Sequence, residues 1–203
     1  MTDIRKMIYP LLILIYCHFS CTGDETKISN IPASEYSEYW EIGRQVSDVL
    51  LKSLQAELTA TIKEKGIRSA IEVCSNLAPA ITDSIKSQYA NIEDIRRISY
   101  KYRNPVNAPD KLDQKILSDY TRLQISGGNP AQESLNKITD KSGEYFRYYK
   151  PLIIKPLCLN CHGAENQIDS EVNYLLKKLY PIDQAKGYAN GQFRGLVRVT
   201  IRE

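Results

Sequence analysis

From Ser34 to about Lys65, apolar residues recur at helical spacing (Ile42, Val46, Val49, Leu50, Leu54, Leu58 and Ile62), and Gly66 closes the run. A second helix is expected with Ile67, Ala70, Ile71, Cys74, Leu77, Ala78, Ile81 and Ile85 on one face. Pro79 lies inside it and removes the hydrogen bond to the Ser75 carbonyl, so a kink is predicted one turn after Cys74. Ile98–Tyr102 alternates like a strand, and Arg103-Asn104-Pro105 breaks it. A helix opening at Ala108-Pro109-Asp110 runs to about Leu123, capped near Asn107 or Ala108, and Gly127–Pro130 reads as a loop. Glu144–Ile154 reads as a strand, Ser170–Leu179 as a short helix, and Phe193–Ile201 as a closing strand with one buried face. Helices come first and strands later, which predicts an α+β fold: N-terminal amphipathic helices packed with an antiparallel sheet.

Ahead of this pattern stands Arg5-Lys6 and then an apolar run, Met7–Tyr16, too short to span a bilayer comfortably. Residues 1–20 therefore read as an export signal. Ser20 precedes Cys21, an arrangement similar to a bacterial lipoprotein signal, although His18 and Phe19 depart from its usual small and aliphatic residues. Ordinary secretory cleavage and an uncleaved anchor helix are the alternatives. Residues 21–33 form a polar tether in this reading, and 34–203 a single domain facing the exported, periplasmic side of a membrane. The formal charge of +3 is too small to mark a nucleic-acid partner, and no run of Lys or Arg concentrates it.

Candidate chemistry sits at Cys158-Leu159-Asn160-Cys161-His162. Cys-x-x-Cys-His is the attachment sequence of a c-type haem: two thiols three positions apart can each form a thioether to a porphyrin vinyl group, and the imidazole that follows can ligate iron. A dithiol redox pair would want a thioredoxin-like context, whereas the stretch ahead, Tyr145 to Pro156, is aromatic and proline-containing. A zinc site would strain a tetrahedron with adjacent Cys161 and His162.

The other axial ligand can be approached by counting. The chain has two histidines, His18 and His162, and two methionines, Met1 and Met7. Loss of the signal leaves His162 alone, which excludes the His/His and His/Met pairs usual in electron-carrying cytochromes c. Cys74, a lysine, a tyrosine or an open site remain. Cys74 is the strongest, lying mid-face on the second helix, and an unpaired thiol in an exported protein needs protection from oxidation. The competing reading is a free cysteine acting as a small core hydrophobe.

Several separated motifs occur in one order. They are Ala70–Pro79, Arg103–Asp110, Tyr145–Tyr149, Cys158–Gly163, Gly187-Tyr188 and Arg194-Gly195. Together they resemble the DUF3365 or Tll0287-like family of haem domains over roughly residues 35 to 202. The resemblance implies a PAS-like sheet with added N-terminal helices and one covalent haem c, with His162 and Cys74 as axial ligands. Such a protein would act in redox sensing or low-potential electron transfer rather than as an enzyme, with a redox or signalling protein as partner and a diatomic gas as a candidate ligand. A small haem enzyme acting on peroxide, nitrite or nitric oxide is the alternative, weakened by the lack of a distal histidine. Arg103, Arg147 and Arg194 are candidates for pairing with haem propionates. Tyr145, Phe146, Tyr148 and Tyr149 are candidates to wall the porphyrin or simply to fill the core, and Trp40 to pack.

Overall fold

The computed structural model describes residues 26–203. Residues read as the export signal, and Cys21, lie outside them. Among the described residues no helix is long and apolar enough to cross a membrane.

Strand β1 (Lys27–Ile31) opens the domain inside the stretch expected to be a tether. Helix α1 (Ser37–Lys65) follows, and Gly66 ends it with φ 81°, a left-handed backbone that glycine adopts without strain. The second helix is broken into α2 (Ala70–Glu72), a π turn (Val73–Leu77) and α3 (Ala78–Lys86). The expected kink is thus a widened turn that contains Cys74 rather than a bend after it. Pro79 would drive its ring against the Ser75 carbonyl in a regular helix; a wider turn, closed by Ala78 N–H donating to the Val73 carbonyl, relieves that clash.

Strand β2 is Ile92–Ile98, six residues earlier than the alternation at Ile98–Tyr102 suggested. Helix α4 (Lys111–Ile125) is capped by Asp110 through a reciprocal box with Asp113, so Pro109 lies before the helix rather than in its first turn. Strands β3 (Ser134–Asp140) and β4 (Gly143–Ile153) form a hairpin. The short α5 (Leu159–His162), α6 (Ser170–Leu179) and β5 (Phe193–Ile201) complete the chain.

The five strands form one antiparallel sheet in the order β1-β3-β4-β5-β2. The fold is α+β. On one face Phe146, Tyr148, Val197, Val199 and Ile201 pack against Trp40, Val46 and Leu50 of α1 and Ile85 of α3. On the other, Tyr149, Leu196 and Ile98 pack against Ile116, Leu117 and Tyr120 of α4. Strand β5 is therefore buried on both faces, Arg198 and Thr200 included, where one buried face was expected. α4 makes the difference, because it brings Asp113 down onto the second face to receive Arg198.

Candidate functional site

A cavity of about 360 Å³ opens at the β2 edge of the sheet, between the π turn, the loop after β2 and the end of α5. The π turn delivers Cys74, α5 delivers His162, β2 contributes Arg97, and Tyr180 and Arg194 line it as well. Two candidates 88 positions apart in sequence, Cys74 and His162, thus line one space.

The His162 ring is set by its own hydrogen bond. Nδ1 lies 2.7 Å from the Ala185 carbonyl, an acceptor only, so Nδ1 carries the proton and Nε2 keeps its lone pair. Burial, reinforced by the cationic Arg103 and Arg194, pushes its pKa well below 6.5, which keeps the imidazole neutral. Burial also raises the Cys74 thiol, while the nearby Arg97 and Arg103 pull it the other way. Cys161 is pushed up to about 11 by burial, packed beside Ile71, Ile168, Val172 and Leu176. Cys158 is less enclosed, its sulfur accepting from the Lys155 backbone N–H at 3.4 Å. Cys74, Cys158 and Cys161 are all free thiols.

The arginines separate. Arg194 lines the cavity, with its guanidinium carbon 5.3 Å from the Tyr188 ring centroid, and burial lowers its pKa. Arg103 also lines it, but Nε is paired to Asp183 at 3.1 Å and Nη2 donates to the Cys161 carbonyl at 2.5 Å. Arg147 is not among the lining residues: it reaches Asp110 at 2.8 Å and Asp113 at 3.2 Å on the face covered by α4. Tyr148 and Phe146 belong to the core beneath α1, and Tyr149 to the α4 side, so these aromatics fill the core rather than the cavity.

Sequence reasoning missed Arg97. It points to the same side of β2 as Ile95, and among the described residues no carboxylate pairs with it; burial lowers its pKa, with Cys74 as the first counteracting charge. The only signal available was its place in a strand that the charged residues Glu93, Asp94, Arg96 and Arg97 disguised.

The donor set is one neutral imidazole nitrogen and one sulfur, with two guanidiniums unpaired to carboxylates. That set suits a metal-bearing group with acidic substituents. Among the described residues no three His, Cys, Asp or Glu side chains gather to hold a bare ion, which leaves the zinc alternative without a ligand set.

A family model described as Tll0287-like matches residues 16–202, nearly the whole chain. The chain belongs to the Tll0287-like family. The crystal structure of the cyanobacterial heme-protein Tll0287 matches it with a TM-score of 0.57 and 23% identity, covering 85% of this chain and 98% of that one. At that identity the likeness is one of fold. No curated protein matches the chain. The Cys-x-x-Cys-His stretch and the π turn carrying Cys74 both fall inside the span matched by the Tll0287-like model.

Proposed function

We propose that this Tll0287-like protein is an exported haem c-binding protein used in redox sensing or low-potential electron transfer. Cys158 and Cys161 would attach the porphyrin, and His162 and Cys74 would ligate its iron. The observation that carries the reading is the shared cavity: the Cys74 thiol and the His162 imidazole, whose Nε2 is left free, line one space, and Cys161 directly precedes His162 in the chain. The fold likeness to a solved heme-protein supports it.

When bound, the haem supplies one-electron chemistry. This chain's residues set its terms. His162 presents Nε2 because Ala185 holds Nδ1–H. A Cys74 thiolate in a low-dielectric pocket favours the more positive iron state and lowers the reduction potential relative to a neutral thioether. Arg194 and Arg97 are the guanidiniums available to the porphyrin's carboxylates. With Cys74 and His162 both holding the iron, no site would be left open for peroxide, nitrite or nitric oxide, which speaks against an enzyme of that kind. Export places haem attachment on the periplasmic side, with a lipid on Cys21 as the membrane anchor; Cys21→Ser should release the protein from the membrane fraction, and a wild type already soluble would reject the anchor.

The test is direct. Denatured wild-type protein should show a haem adduct by mass spectrometry that survives acid and organic extraction; freely extracted haem would end the covalent reading. Cys74→Ser should keep the adduct while turning the ferric spectrum toward high spin and raising the potential. A variant with wild-type spectrum and potential would make Cys74 an ordinary core cysteine.

A further inference from the structure

We propose that Arg103 and Asp183 form a latch that positions His162 and tunes it as a ligand, a role distinct from binding the cofactor's carboxylates. The inference rests on the haem reading above for the meaning of His162, and on geometry for the latch itself.

After α6 the chain returns across the attachment motif as a strap, residues 183–188. Its backbone is stitched to the motif by Gly187 N–H to the Gly163 carbonyl at 2.8 Å and Tyr188 N–H to the His162 carbonyl at 2.9 Å. The Asp183 carboxylate is 4% exposed and uses both oxygens: Oδ1 accepts from Ala185 N–H at 2.8 Å, and Oδ2 from Arg103 Nε at 3.1 Å. Arg103 then turns Nη2 to two carbonyls, Cys161 at 2.5 Å and Ala185 at 3.4 Å. The second of these is the carbonyl that accepts the His162 Nδ1–H at 2.7 Å. Asp183 therefore fixes the Ala185 residue by its N–H, and the guanidinium that Asp183 orients shares that residue's carbonyl with the imidazole.

A sign follows for each partner. The guanidinium draws on the carbonyl that His162 uses, which restrains the imidazole from anionic character, and it places a positive charge 3.5 Å from Nδ1. Removing it while leaving the Asp183 carboxylate strengthens the remaining Nδ1–H bond and adds an unbalanced negative charge, both favouring ferric iron. Removing the Asp183 charge leaves the cation unbalanced and favours ferrous iron. Loss of a merely structural pair would move both variants the same way.

The experiment uses full-length, haem-loaded protein, with haem content checked by the pyridine haemochrome spectrum. Arg103→Gln should lower the midpoint potential, Asp183→Asn should raise it, and Arg103→Lys, which retains the charge, should lie nearer wild type than Arg103→Gln. Ferric electron paramagnetic resonance should show shifted g values for Arg103→Gln and Asp183→Asn. Shifts of the same sign, or none in either variant that binds haem, would overturn the latch. If wild type carries no haem, the functional reading fails on its own. The latch is then judged from nitrogen–proton NMR of histidine-labelled protein: a His162 Nδ1–H proton resonance that moves downfield in Arg103→Gln, where it no longer shares the Ala185 carbonyl, and upfield in Asp183→Asn supports it. Movement of the same sign in both variants, or an unmoved resonance in Asp183→Asn if Arg103→Gln does not fold, overturns it.

Discussion

Replacing Asp113 with alanine should cost this domain a large part of its stability. The Asp113 side chain is fully buried at the start of α4 and accepts from Arg198 Nη1 at 2.7 Å, Tyr149 Oη at 3.0 Å, Arg147 Nη1 at 3.2 Å and the Asp110 backbone N–H at 3.3 Å. Arg198 and Arg147 are only 5% and 12% exposed, so water cannot replace the lost partner. Asp110 and Asp94 still reach them, which softens the loss. Breaking a buried pair by removing one partner costs roughly 3–5 kcal/mol, and about 4 is expected here. Native domains hold only about 5–15 kcal/mol in total. With a urea slope of about 2 kcal/mol/M, the midpoint should fall by about 2 M. Equilibrium urea unfolding followed by circular dichroism reads this directly. Replacing Asp113, Arg147 and Arg198 together by leucine or methionine should cost much less, because the carboxylates left behind are not buried alone: Asp110 is half-exposed and Asp94 keeps Arg96. A midpoint loss under about 0.5 M for Asp113→Ala would show that the cluster is solvated and that α4 is held by its apolar face alone.

Gly43→Ala should destabilise by about 1–3 kcal/mol, because the added Cβ would lie 2.3 Å from Cγ of Tyr148, a fully buried ring wedged edge-on against Trp40; thermal melting checks it, and an unchanged midpoint would mean that α1 can lift from the sheet freely. At Glu133, burial opposes the charge, but hydrogen bonds from Lys150 and Arg44 outweigh it, so its pKa lies below 4.5. That contribution is complete above the ordinary pKa and is lost as pH falls through the lowered one. Glu133→Gln should therefore be less stable than wild type at pH 7 and converge with it on acidification below pH 4.5, and a gap that stays constant with pH would remove the ion pair from the account.

The two ends of α6 and β5 and the length of α1 were legible because each depends on residues within a few positions of one another, through a helical or alternating period; the Asp169 cap that fixes the start of α6 was not read. The recurrence of separated motifs likewise carried the family. Other features depended on partners distant in sequence. β1 reads as polar linker because only its pairing with β3 makes it a strand. β2 is masked by its charges, which are tolerable at a sheet edge where Arg96 and Arg198 share Asp94 and Arg97 turns into the cavity. Arg103, Arg147 and Arg194 look alike as sequence, yet tertiary contacts divide them. Arg103 meets an aspartate 80 residues on, Arg147 one 34 residues back, and Arg194 no carboxylate among the described residues. Local sequence determined which candidate ligating groups this chain carries; tertiary structure decided which of them share a cavity and which charges remain free in it, because a buried cation goes to whatever anion the fold sets beside it.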